Sequence, residues 1–271
     1  MAPAAAGVLS RSGPALDALV AFGAFCLAAS GTYLWNDVLD AEADRLHPDK
    51  RHRPVASGAL GVPVAAIAGS VLLGGSLAVS FALSGWHLAL VTALYVAVTL
   101  AYTLGVKRFP VVELAAVAAG FVLRAIAGGV ATGVPLSSWF LVVTSFGALF
   151  VVVGKRMAEY RRLGESREDH RASLGGYTVS FLQSALTLTA AVTVTAYCLW
   201  AFDRGGLSDQ AGHQFVWIQL TVAPVTIAVL HVLRLLDAGQ GGAPEDLIFH
   251  DRLVAVLGLI WAALFAVGIY A

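Results

Sequence analysis

Three carboxylates follow one another at helical spacing in a short segment of the chain. Asp37, Asp40 and Asp44 fall on one helical stripe, where side chains three or four positions apart lie about 5–6 Å from each other. Three unpaired carboxylates so placed repel one another, and such hard oxygen ligands suit Mg²⁺, whose shell is usually completed by water and substrate phosphate oxygens. The stripe predicts a magnesium site whose ligands are also the catalytic residues. The alternative is an acidic helix end that Arg45 and Lys50 neutralise.

A short basic segment comes directly after the carboxylates. Lys50, Arg51 and Arg53 lie between Pro48 and Pro54, which restrict the backbone of the loop. Cations beside a metal site indicate a polyanion, because arginine can bind two phosphate oxygens at once. We therefore expect a diphosphate to be held by Mg²⁺ on one side and by these cations on the other. The alternative is charge that sets membrane orientation or contacts anionic lipids.

The elements that must position these residues are membrane helices. Of 271 residues, 58% are hydrophobic and 13% charged, against about 45–50% and 25% in soluble proteins. Lys plus Arg and Asp plus Glu each total 17, which argues against a nucleic-acid-binding protein. A span needs about 20 mostly apolar residues, and the runs lack the alternation of a β-barrel. The sequence predicts an all-α polytopic bundle, a single domain over 1–271. The eight expected spans are Ala15–Trp35, Val62–Leu83, His87–Gly105, Pro110–Ala131, Leu136–Val153, Thr178–Phe202, Gln214–Leu236 and Leu253–Tyr270.

Basic residues in the connections predict the orientation of the bundle. Segments 36–61, 105–109, 154–177 and 234–252 hold 14 of the 17 Lys and Arg residues, and such residues are retained on the cytoplasmic side. The two long polar connections therefore share the cytoplasmic face. We expect the chemistry at that face of a cell-membrane protein.

Arg124 lies inside an apolar run. A charge in the membrane is costly and is a functional candidate that faces a cavity. We expect Arg124 to meet a phosphate; the alternative is a structural pair with Glu113 or another acid.

The segment Asn36 to Asp44 reproduces an NDxxDxxxD signature and resembles the UbiA superfamily of intramembrane prenyltransferases. The continuation through Lys50, Arg53 and Pro54 is similar to that family as well. The resemblance implies a helical bundle around a central cavity, with Mg²⁺ and a diphosphate at the cytoplasmic mouth and a lipid tail that enters from the side. It adds Asn36 to the substrate-binding residues.

A second motif distinguishes among branches of this family. Members that prenylate aromatic substrates usually carry a DxxxD box, but here Lys155, Arg156 and Glu159 form KRxxE. Fewer acids and more bases suit a substrate with additional phosphates, and the pattern resembles the branch that makes polyprenyl-phosphoryl phosphoribose. Further substrate-binding residues implied by this resemblance are Tyr102, Lys107, Arg124 and Arg171.

The resemblance implies transfer of 5-phosphoribose from phosphoribosyl pyrophosphate to a polyprenyl phosphate, decaprenyl phosphate in mycobacteria and their relatives, with release of pyrophosphate, as a precursor of cell-wall arabinan. That branch usually begins with a further helix, which opens with an RPxxWxKN-like segment. Residues Met1 to Ser10 resemble the end of that helix, so nine helices are expected in a complete form. The oligomeric state, a homo-oligomer included, is open.

Two other functions stay open. A UbiA-type prenyltransferase would move a prenyl group from a polyprenyl diphosphate to an aromatic or glycerol-phosphate acceptor, with Trp35, Tyr95 and Tyr102 to shield a carbocation. A transporter or channel would show repeated halves with broken mid-membrane helices, whereas the polar residues here crowd one face.

Overall fold

A computed structural model describes residues 2–46, 50–163, 172–206, 214–239 and 250–270. Within these ranges the regular elements are helices, which confirms the all-α prediction. Seven of the described helices are long and apolar enough to cross a membrane. The chain divides into two compact units, Met1–Pro135 and Leu136–Ala271, and each is described by itself.

The first unit contains helices α1 to α5. They are α1 (Ala2–Ala5), α2 (Ser12–Leu39), α3 (Ala41–Leu46), α4 (Val62–Leu104) and α5 (Val112–Thr132). Helices α2 and α4 approach closely at two glycines: a Cβ on Gly31 would lie only 2.9 Å from the carbonyl oxygen of Gly69. Small residues permit such backbone contact between membrane helices. A core that includes Phe25, Leu88 and Tyr95 fills the unit.

The second and third predicted spans form one element that reverses direction at Gly85. Gly85 has φ 81° and ψ −175° inside Val62–Leu104, a conformation that glycine adopts without steric cost. The hydroxyls of Ser80 and Thr92 are 2.9 Å apart, although 12 residues of straight helix would span about 18 Å. The two halves of α4 therefore run back along each other, and the seven long helices accommodate the eight predicted runs.

The second unit contains helices α6 to α10. They are α6 (Ser138–Leu163), α7 (Val179–Gly206), α8 (Gln214–Leu220), α9 (Val222–Asp237) and α10 (Arg252–Tyr270). Thr221 separates α8 from α9 within one predicted span. Its hydroxyl lies 2.7 Å from Tyr197 Oη, to which Trp261 Nε1 donates at 2.8 Å. This network gives the buried polar groups partners and ties three helices together.

Candidate metal and phosphate site

The acidic stripe crosses the junction between α2 and α3. Asp40 is the junction residue; its N–H donates to the Asn36 carbonyl at 2.9 Å, and Asp44 N–H donates to the Asp40 carbonyl at 2.8 Å. Helical hydrogen bonding thus continues through the break and preserves the spacing predicted from the sequence. Asn36 and Asp37 are half-buried, whereas Asp44 is only 4% exposed.

Arg53 joins the two outer carboxylates of the stripe. Its Nη1 donates to Asp37 Oδ1 at 3.1 Å and to Asp44 Oδ2 at 2.9 Å. Seven positions span about 10.5 Å of helix axis, so the two acidic side chains lean toward each other to share this nitrogen. The sequence assigned Arg53 to a phosphate; here it contacts the carboxylates.

Lys107 holds the middle carboxylate. It lies in the 3₁₀ turn Val106–Arg108 after α4, and its Nζ donates to both oxygens of Asp40 at 2.6 and 2.7 Å. Charge-assisted bonds of this kind are roughly twice as strong as neutral ones. Arg53 and Lys107 therefore offset two of the three negative charges of the stripe, and the acidic-helix-end alternative named neither of these cations.

The loop that carries Arg53 is packed against the end of the acidic segment. Arg45 Nε donates to the Ala56 carbonyl at 3.2 Å, and Val55, 1% exposed, packs with Ala41 and Ala65. These contacts fix the backbone next to Arg53. Arg45 accordingly supports the loop, because its Nε donates to a backbone carbonyl rather than to a carboxylate of the stripe.

Two of the three carboxylates fit a divalent cation. Asp37 and Asp44 direct oxygens at one positively charged nitrogen, so these oxygens lie no more than about 6 Å apart. Carboxylate oxygens around a single cation are the donor set that Mg²⁺ takes. Among the residues described, no group of three or more His, Cys, Asp or Glu side chains is arranged as a metal site. Asp40, the third acid of the stripe, accepts hydrogen bonds from Lys107.

Arg124 has a partner that the sequence did not indicate. Its Nη2 donates to Tyr95 Oη at 2.6 Å, and its guanidinium carbon lies 4.8 Å from the centre of the Tyr95 ring. Tyr95 is 3% exposed, whereas Arg124 is exposed. The buried tyrosine thus orients a guanidinium that remains accessible in the middle of α5. The sequence feature that could have indicated this pair is a tyrosine inside the neighbouring apolar run.

The remaining first-unit candidates lie near the same loops. Lys50 and Arg51 belong to the 3₁₀ turn Lys50–His52. Arg51 is exposed, and its Nε donates to the His52 ring at 3.3 Å. Tyr102 is half-buried in the last turn of α4.

The KRxxE motif lies on α6 in the second unit. Arg156 is 3% exposed and its Nη1 donates to Glu159 Oε2 at 3.0 Å. Burial of an arginine requires such a partner. Lys155 and Glu159 are half-buried on the same helix. Arg171 lies outside the described residues.

The sequence is similar to characterised families and proteins over most of its length. A family model described as the UbiA prenyltransferase family matches residues 1–256. The decaprenyl-phosphate phosphoribosyltransferase of Corynebacterium glutamicum is 42% identical over 99% of this chain and 81% of its own length. The protein of that name from Mycolicibacterium smegmatis is 43% identical over 93% of this chain and 80% of its own. The one from Mycobacterium tuberculosis is 44% identical over 90% and 78%.

Solved structures share the architecture. A UbiA homolog from Archaeoglobus fulgidus bound to GPP and Mg²⁺ matches with a TM-score of 0.73 and 17% identity, over 98% of this chain and 92% of that one. An apo UbiA homolog from Aeropyrum pernix K1 gives 0.70 and 17% over 98% and 95%. At this identity the likeness concerns the fold.

Proposed function

Because the chain belongs to the UbiA prenyltransferase family, we propose that it transfers 5-phosphoribose from phosphoribosyl pyrophosphate to a polyprenyl phosphate, decaprenyl phosphate, and releases pyrophosphate. The observation that carries this proposal is the 42–44% identity, over 90–99% of the chain, to relatives named decaprenyl-phosphate phosphoribosyltransferase. The product would supply cell-wall arabinan synthesis. The geometry of the first unit supports the same chemistry, because carboxylates and cations alternate at one site.

The carboxylates and the cations have different roles in binding the donor. Asp37 and Asp44 would hold Mg²⁺, and Asp40 would join them when Lys107 turns to a phosphate. Bound Mg²⁺ would neutralise the charge that develops on the departing pyrophosphate. Arg53 and Lys107 lie at the same site and bind phosphate oxygens, with the guanidinium able to grip two of them. Lys50 and Arg51 extend this basic surface.

The transfer step needs orientation more than proton transfer. The bond from the anomeric carbon to the pyrophosphate oxygen breaks, and a bond from that carbon to a lipid phosphate oxygen forms. The lipid phosphate is already anionic at neutral pH, so no base has to remove a proton. Bringing two polyanions together requires cations held in fixed positions. Arg124, oriented by Tyr95 at 2.6 Å, is suited to the lipid phosphate.

The KRxxE residues give α6 of the second unit a basic segment of its own. Arg156 and Glu159 form an intrahelical pair at 3.0 Å within α6, and we propose from the resemblance of this motif that Lys155 and Arg171 bind phosphate. The site is proposed to face the cytoplasm from the cell membrane, because the long connections carry most of the basic residues.

The direct experiment follows labelled phosphoribosyl pyrophosphate into a lipid product in membranes that contain the chain and added decaprenyl phosphate. Asp37→Asn should lower the rate by about 10²–10³-fold, and excess chelator should abolish it. Glu42→Gln, an exposed acid in the same segment, is the matched control and should retain activity. Equal rates for Asp37→Asn and the wild type would contradict the proposal.

A prenyltransferase is the second candidate, and the match of residues 1–256 to a family model described as the UbiA prenyltransferase family favours it. The donor substrate that the protein consumes distinguishes the two candidate functions. Pyrophosphate release from a polyprenyl diphosphate, without use of phosphoribosyl pyrophosphate, would support prenyl transfer to an aromatic or glycerol-phosphate acceptor.

A further inference from the structure

Arg53 occupies the position between two carboxylates that a divalent metal would need. We infer that Arg53 and a divalent metal compete for Asp37 and Asp44: a bound metal displaces the guanidinium from these carboxylates, and the displaced guanidinium then binds the diphosphate. The inference rests on the proposed function for the identity of the metal and the diphosphate.

The geometry makes Arg53 and a metal competitors. One nitrogen, Nη1, lies 3.1 Å from Asp37 Oδ1 and 2.9 Å from Asp44 Oδ2. Mg²⁺ binds oxygens at about 2.0–2.1 Å, so an ion bound to the same two oxygens would lie against this nitrogen. Two cations at that distance repel each other. Metal binding therefore requires the Arg53 side chain to leave.

Arg53 is the partner that can move. Its side chain is 37% exposed, against 6% for Asp44, so the carboxylate is fixed and the guanidinium borders solvent. The backbone beside it is anchored by buried Val55 and by the bond from Arg45 to the Ala56 carbonyl. The displaced side chain consequently swings about a fixed point and stays within reach of a ligand at the site.

This exchange couples metal binding to phosphate binding. A metal that binds alone has to break the two contacts of Arg53 and leaves the guanidinium without an anion. A metal that arrives with a diphosphate provides that anion. Each ligand then raises the affinity for the other by the same factor, as linkage demands.

The test measures how tightly the full chain in detergent binds Mn²⁺ when no phosphate is present. Electron paramagnetic resonance gives the free Mn²⁺ and hence the dissociation constant. Arg53→Gln removes the competitor and should tighten Mn²⁺ binding about tenfold, with a lower melting temperature in the absence of metal and a larger rise on its addition. Arg53→Lys, which retains a cation, should fall between Arg53→Gln and the wild type.

Arg108→Gln is the matched control, because it removes the same charge at an exposed position on a neighbouring turn of the same unit. Its Mn²⁺ affinity should equal that of the wild type. Adding Asp37→Asn to Arg53→Gln should abolish the tightening, since the gained affinity depends on that carboxylate.

Three results would overturn the inference. They are a folded Arg53→Gln protein that binds Mn²⁺ no more tightly than the wild type, an equal gain in Arg108→Gln, and a gain that survives Asp37→Asn. Failure of the transfer assay is a separate outcome: if no phosphoribosyl product forms yet Arg53→Gln tightens Mn²⁺, the proposed function falls and the exchange stands.

Discussion

Lys107 reaches Asp40 across 67 positions of sequence and donates to both of its carboxylate oxygens, at 2.6 and 2.7 Å. The contact joins the turn after α4 to the junction of α2 and α3. It therefore holds the middle of the acidic stripe and the end of a helical hairpin in register.

Replacing Lys107 should impair both stability and turnover. Lys107→Gln leaves Asp40 without its bidentate donor and should cost about 1–2 kcal/mol of unfolding free energy, with at least a tenfold loss of transfer rate. A double-mutant cycle with Asp40→Asn should give a coupling energy of about 1 kcal/mol. Arg108→Gln, the exposed neighbouring cation, serves as control. Additive effects of Lys107→Gln and Asp40→Asn would show that the pair does not interact.

The pair of Arg124 and Tyr95 should determine use of the lipid substrate. Arg124→Gln should raise the KM for polyprenyl phosphate about tenfold while the KM for phosphoribosyl pyrophosphate stays constant. Tyr95→Phe, which removes the 2.6 Å bond, should give the same change to a smaller degree. Tyr270→Phe alters a 49% exposed tyrosine of the second unit and should leave both constants unchanged. A rise in the KM for the donor instead would assign Arg124 to the other substrate.

Close helix contact makes Gly31 intolerant of a side chain. A Cβ there would lie 2.8 Å from Leu73 Cγ and 2.9 Å from the Gly69 carbonyl, so Gly31→Ala should destabilise the protein by about 1–3 kcal/mol. Gly23→Ala in the same helix meets nothing within 4 Å and should be neutral or slightly stabilising. Thermal melting of the two variants in one detergent compares them, and equal melting temperatures would refute the close approach.

Acid should weaken the start of α10 through Asp251. Hydrogen bonds from the Val254 N–H, from the His231 ring and from Leu253 N–H lower the pKa of Asp251. A pKa lower in the folded than in the unfolded chain gives stability that is complete above the unfolded value and is lost as pH falls through the folded one. Below about pH 4 the melting temperature of the wild type should therefore fall more steeply with decreasing pH than that of Asp251→Asn, which keeps a capping side chain. Parallel pH curves would count against this contribution.

The spacing of Asp37, Asp40 and Asp44 could be predicted because helical periodicity is local, and the runs of apolar residues indicated their helices for the same reason. The partners of those carboxylates could not. Arg53 and Lys107 have the chemistry of phosphate ligands, and only the packing of their loops turns them toward the acidic stripe. The contact between Tyr95 and Arg124 likewise depends on which faces of α4 and α5 meet. Spacing along one helix does not determine that choice.

The reversal at Gly85 has a consequence for how the protein enters the bilayer. A turn of one residue leaves no hydrophilic loop to be carried across between the two halves of α4. The Ser80 and Thr92 hydroxyls satisfy each other, so neither has to be exposed to lipid once the halves are paired. These two spans should therefore insert together as a preformed helical hairpin, and a polar insertion at Gly85 would turn a concerted insertion event into two successive ones.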